Sequence, residues 1–97
     1  RIIEPALDLG VVAALLSSFL EQPIDPATVV CGEIGLAGEI RAVGQMELRV
    51  REAGRLGFTT FLMPESSARQ LRGKGRKGMR ILAVRNVSEL AEHLFRR

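Results

Sequence analysis

The sequence predicts an α/β (α+β) layered domain with parallel strands in its second half, and three observations lead there. From Gln45 onward the apolar pattern switches between helical spacing and short apolar runs, in the order helix, strand, helix, strand, helix. Helices that alternate with strands in this way cover a largely parallel sheet. The 97 residues are 46 % hydrophobic and 26 % charged, a composition that suits a globular domain and not a disordered chain. No internal repeat and no long linker divides the chain, so one core is the ceiling, and a domain this small buries only about two-thirds of its unfolded surface. With no Trp or Tyr and four Phe, that core is aliphatic.

Each element has its own signal. Leu7 to Glu21 reads as a helix, with Pro5 in the first turn and Pro23 beyond its end. Apolar residues cover most of its circumference, so burial on more than one side is expected. Thr28 to Ile34 (TVVCGEI) is rich in β-branched residues and reads as a strand, followed by the turn GLAG and a second strand from Glu39 to Val43, together a hairpin. Gln45 to Leu56 places Met46, Val50, Ala53 and Leu56 at helical spacing, sets Glu47 and Arg51 as an i,i+4 pair on another face, and stops at Gly57. Phe58 to Met63 is a strand ended by Pro64. Glu65 to Leu71 is a short helix with Glu65 and Ser66 as capping candidates, and GKGRKG is a loop. Met79 to Val84 is a strand, and Val87 to Phe95 a terminal helix capped by Asn86, with Leu90, Ala91 and Leu94 inward.

Several function classes fall away. The longest apolar run, Leu9 to Leu20, is broken by serines and short of the roughly 20 residues a membrane span needs, so no membrane partner is expected. The opening RIIEPALDLG has no leader-peptide pattern, which points to a cytoplasmic protein. Cys31 is the only cysteine and reads as a small buried hydrophobe. His93 is the only histidine and reads as a solvated residue of the last helix, so no metal shell is assembled. Glycines 32, 35, 38 and 44 form no phosphate-cradling GxxxxGK[ST] loop. Glu4 and Asp8 complement a helix dipole, and Glu33 and Glu39 beside Arg41 read as solvated or ion-paired.

Three stretches carry a resemblance. EPALDLGVVAALLS (4–17) resembles the helix that bears the nucleophile of Lon-type proteases. CGEIGLAGEIRAVGQ (31–45) resembles the hairpin leading to the Lon lysine, and LGFTTFLMPES (56–66) the strand that follows. More closely, EPALDL, CGEIGLAGEIRAVGQMELRVREAGRLGF and VRNVSELAEHLF are similar to the C-terminal Lon-like domain of the RadA (Sms) family of bacterial RecA-related DNA repair proteins. The resemblance implies a Lon protease-like fold of the ribosomal S5 domain 2 type. Residues 1–97 would then form one Lon-like domain near the C-terminus of a longer protein, with RII a strand whose partners precede Arg1.

The register of the Lon motif places Ala6 where the nucleophilic serine would stand and Glu47 where the lysine would stand. A Ser/Lys dyad needs a hydroxyl to attack, an unprotonated amine to take its proton, and backbone N–H donors for the oxyanion. Ala6 offers no nucleophile, and Glu47 as a base has nothing to activate. Nor is the dyad relocated: Lys74 and Lys77 lie in a solvated loop, Ser17 and Ser18 late in the first helix, and Ser66, Ser67 and Ser88 at helix starts where capping is the plain reading. The fold is kept and the peptidase chemistry abandoned.

The other informative stretch is RQLRGKGRKGMR, residues 69–80. Arg69, Arg72, Lys74, Arg76, Lys77 and Arg80 make up six of the fourteen basic residues, with no acid among them. A glycine-broken basic segment suits salt-sensitive contacts to nucleic acid phosphates, and Arg49, Arg51 and Arg55 add to the same field. No aromatic is interleaved, which favours duplex backbone over stacked single strands. A net charge of +3 is equally that of a plain solvated surface. The resemblance decides toward DNA: it implies assembly of a homo-oligomer, a hexamer, and DNA contact during branch migration beside RecA. It also implies no cofactor in this domain, with ATP, Mg and Zn used upstream. An active Ser/Lys peptidase and a purely structural oligomerisation domain are the competing readings.

Overall fold

The chain, described by a computed structural model over residues 8–71 and 74–95, is organised around one strand. β4 (Thr60–Pro64) is buried from Phe61 through Pro64 without alternation, as a strand is when helices cover both faces of a parallel sheet. It pairs in parallel with β1 (Thr28–Val30) on one side and with β5 (Arg80–Val84) on the other, so that Thr60 stands opposite both Thr28 and Arg80. Successive side chains enter opposite layers. Leu62 packs with Val84 against Leu9 and Ala13 of α1 (Asp8–Leu20) and Leu90 of α4 (Val87–Phe95). Phe61 and Met63 pack with Val50 and Ala53 of α2 (Met46–Arg55) and Leu71 of α3 (Glu65–Leu71). Three layers result, and each large apolar side chain so buried contributes about 1.5–3 kcal/mol. Cys31 belongs to the α2 layer as the small hydrophobe expected.

The expected elements are present, α3 and α4 over the residues anticipated and α2 one residue shorter at each end. Gly57, at φ +96°, lets the chain leave α2 in a conformation other residues resist. Four expectations need correction. The run Thr28–Ile34 is not one strand. Cys31 N–H still donates to Leu62 O at 3.0 Å, but Gly32 O accepts from Leu9 N–H at 3.1 Å. The chain turns there, and β2 (Glu33–Ile34) pairs antiparallel with β3 (Ile40–Arg41) in a separate hairpin.

Second, among the described residues α1 is buried on one side only. Leu9 and Ala13 are enclosed, whereas Val11, Leu15 and Phe19, at i, i+4 and i+8, are 50, 65 and 83 % exposed. No described element covers that stripe. Third, Leu56 is exposed past the end of α2, and Glu47 and Arg51 form no ion pair; the pair on this helix joins Arg55 to Glu52 at 2.9 Å.

Fourth, Ser67 does not cap α3. It is fully buried, and its hydroxyl has no hydrogen-bond partner among the described residues. A buried hydroxyl left unpaired costs roughly 1–3 kcal/mol. Ser67→Ala is therefore expected to raise stability, by up to about 1 kcal/mol in denaturant unfolding.

The cap of α4 is the one the sequence indicates. Glu89 N–H donates to Asn86 Oδ1 at 2.9 Å, while the Glu89 carboxylate reaches back to accept from Arg85 N–H at 2.8 Å and from its guanidinium at 2.6 Å. Hydrogen bonding from the Arg85 side chain, then from its backbone, holds the Glu89 carboxyl below its ordinary value. A depressed carboxyl stabilises the fold above the unfolded carboxylate range, near pH 4, and that contribution is lost as pH falls through the folded value. Asn86→Ala is expected to cost about 1 kcal/mol. Glu89→Gln should remove part of the acid sensitivity of the melting midpoint, read by thermal scans across pH 3–6, a range set by that carboxylate value.

Candidate nucleic-acid interface

The basic segment enters the structure as the connection from α3 to β5, and it is seated against the sheet and α2. Lys74 N–H donates to Leu71 O at 2.7 Å, and Met79 N–H to Arg76 O at 2.9 Å, closing a turn before β5. Gly75 lies against Ile81, where a Cβ would come within 3.0 Å of the isoleucine Cδ1. The Arg76 side chain crosses α2 at Gly54. Loop and helix thereby enclose a cleft of about 190 Å³ lined by Glu47, Val50, Arg51, Lys74, Gly75 and Arg76.

Ion pairing sorts the sequence-derived candidates. Arg69 pairs with Glu65 one turn back at 3.3 Å, and Arg55 with Glu52. Arg49 Nε donates to Gly44 O at 3.0 Å. Arg51, Lys74, Arg76 and Lys77 are exposed and have no carboxylate partner among the described residues, so their charge is uncompensated. Exposed charges of this kind set a surface field that attracts phosphate.

Arg80 is not with them. Strand alternation turns it to the α4 side, where it lines a recess of about 460 Å³ with Asp25, Thr28, Thr60, Glu92 and His93. Two carboxylates make that recess a poor home for phosphate, and His93 is exposed there, as expected of a residue on the last helix. Arg72 lies outside the described residues. Of the six candidates, then, Lys74 and Arg76 share one cleft, Arg51 of α2 joins them, and Lys77 is exposed next to Arg76 in the same loop. The part played by Gly54 is not evident from sequence, although an isolated glycine inside an amphipathic helix is a signal of close packing.

Of the two positions the resemblance assigns to the Lon dyad, Ala6 lies outside the described residues. Glu47 is exposed in the first turn of α2, where a carboxylate favours the helix dipole, and it faces the basic cleft. The Ser17 hydroxyl donates to Gln22 O, and Ser67 is enclosed in the core; neither lines the Glu47 cleft. On the hairpin, Glu39 pairs with Arg41 at 3.0 Å, as the sequence indicated. No group of three or more His, Cys, Asp or Glu among the described residues is placed to hold a metal ion, and no described helix is long and apolar enough to cross a membrane.

A second surface is apolar. Besides the α1 stripe, a groove of about 540 Å³ runs between β1, an edge of the described sheet, and α2, lined among others by Val29, Cys31, Leu48, Leu56 and Phe61. Leu48 and Leu56 stand 42 and 74 % exposed beside it.

Comparison with known proteins gives a family match to the Lon protease (S16) C-terminal proteolytic domain over residues 4–97. Among individual relatives, the DNA repair protein RadA of Bacillus subtilis is 42 % identical over 90 residues, 92 % of this chain and 19 % of the relative. RadA of Streptococcus pneumoniae is 36 % identical over 95 residues, 98 % of this chain and 22 % of the relative. RadA of Synechocystis is 39 % identical over 84 residues, 87 % of this chain and 16 % of the relative. The chain spans about a fifth of the length of the curated relatives it matches.

Proposed function

The chain belongs to the family of Lon C-terminal proteolytic domains, in the form carried by RadA repair proteins, and from that membership we propose a non-catalytic domain that binds duplex DNA through phosphate and joins copies of its protein into a ring of six. In this reading it works during branch migration of recombination intermediates, in the cytoplasm, beside RecA. Domains upstream use ATP, Mg and Zn. The observation that carries the DNA part is the seated loop, whose Lys74 and Arg76 line one cleft with Arg51, the three without an ion-pair partner among the described residues. Unpaired surface cations gain most from phosphate contact because no internal ion pair is broken to make it.

The assembly part rests on the α1 stripe and the groove beside β1, since apolar surface of this kind marks interaction sites. Loss of peptidase chemistry rests on Ala6 and Glu47 standing where the Lon dyad requires Ser and Lys. The test is duplex DNA binding by the complete protein at a series of salt concentrations. Affinity that falls steeply with rising salt supports the reading. Undetectable binding at low salt, or binding indifferent to salt, rejects the DNA role and leaves an assembly scaffold.

A further inference from the structure

Glu47, Arg51 and Gly54 lie on one stripe of α2 at helical spacing, and the basic loop crosses that stripe. A Cβ built at Gly54 overlaps Cδ and Nε of Arg76, so the arginine lies flat over the helix where only a hydrogen leaves it room. Glycine inside a helix is unfavourable relative to alanine, and its presence here calls for a packing reason. Arg76 supplies it. Laid across Gly54, Arg76 borders the same cleft of about 190 Å³ as Arg51 and Lys74, with Glu47 the single carboxylate on its lining. Three cations and one acid leave the cleft a net +2 by count, on a scale that admits one phosphate group.

We propose that Gly54 is the seat that docks Arg76, and that this docking assembles Arg51, Lys74 and Arg76 into one site for a phosphodiester group of the nucleic acid backbone. The inference rests on the DNA-binding reading above and adds which residues form the site and what positions them. Arg51 comes from the helix, Lys74 and Arg76 from the loop, and the glycine sets the distance between the two. Gly54 itself touches no ligand; it is a positioning residue.

The experiment is Gly54→Ala in the complete protein, read by thermal unfolding and by affinity for a short duplex oligonucleotide across salt concentrations. The three nearest atoms a new Cβ meets all belong to the flexible side chain of Arg76, and alanine favours the helix, so the melting midpoint should hold or rise. Affinity at low salt should fall several-fold, with the salt slope shallower by about 1, as when one phosphate is no longer neutralised. Arg76→Ala should give the same loss, and the double variant should be no weaker than Arg76→Ala alone. Wild-type affinity in Gly54→Ala beside weakened Arg76→Ala would show that Arg76 acts without its seat and overturn the inference. Wild-type affinity in Arg76→Ala would remove Arg76 from the site and overturn it as well. Should Gly54→Ala fail to fold, a double-mutant cycle of Arg51 and Arg76 decides: a shared site gives non-multiplicative losses, independent contacts give their product. If the wild-type protein itself does not bind duplex, the functional reading falls, a result distinct from any of these.

Discussion

Replacing Arg72, Lys74, Arg76 and Lys77 together by alanine is expected to weaken duplex DNA binding roughly ten- to a hundredfold at low salt and to flatten its salt dependence by about 0.9 for each phosphate no longer neutralised. The described three of these four are exposed, and their removal breaks no ion pair among the described residues. Exposed surface substitutions usually change stability by within about 0.5 kcal/mol, so a loss of binding here reports on the interface and not on folding. Two controls sharpen the outcome. Arg69→Ala, whose guanidinium already pairs with Glu65, should change affinity little, and Arg80→Ala, on the opposite side of the sheet among carboxylates, less still. Equal losses from Arg80 and from the loop would contradict the placement of the interface. Unchanged affinity in the fourfold variant would remove the loop from DNA binding altogether.

Two phenylalanines should behave in opposite ways. Phe61 is 1 % exposed at the centre of the sheet and packs against α2, so Phe61→Ala is expected to cost about 3–5 kcal/mol, lost transfer energy plus a cavity. That is a large share of the roughly 5–15 kcal/mol by which domains are stable, and urea unfolding of the complete protein should show its midpoint drop or the domain fail to fold. Phe19 is 83 % exposed, so Phe19→Glu should leave the unfolding midpoint near wild type. Its effect should appear instead in self-association, because a charge inside a covered apolar patch stays desolvated and unpaired. Sedimentation of the complete protein should then show smaller assemblies. Wild-type assembly in Phe19→Glu would place the subunit contact elsewhere, and severe destabilisation would mean the stripe is covered from within the same polypeptide.

Legibility in the sequence followed the range of the physics. α4 could be bounded on both sides because Asn86 caps it through a bond three residues long and its inward apolar residues repeat at helical spacing. β4 was legible as a compact apolar run after Gly57, although the strand starts at Thr60 and includes Pro64, which the sequence placed beyond its end. The basic character of residues 69–80 was equally plain, but which of those charges act together was not. Arg69 and Arg76 look alike in sequence; one is neutralised by Glu65 a turn away, while the other is laid across a glycine twenty-two positions earlier on another element. The split of Thr28–Ile34 was hidden for the same reason, since the bond that redirects the chain at Gly32 comes from Leu9.

By itself the sequence determined the helices, the strands from Phe58 onward, the aliphatic core, and the family to which the chain belongs. These depend on local periodicity, on caps a few residues long, and on residue identity. Only the tertiary structure decided that no described element covers the Val11, Leu15 and Phe19 stripe of α1, that Arg80 is parted from the loop, and that Arg51 and Gly54 are brought to it. Whether a side chain is buried, paired or left exposed is set by partners distant in the chain, and no local pattern encodes where they meet.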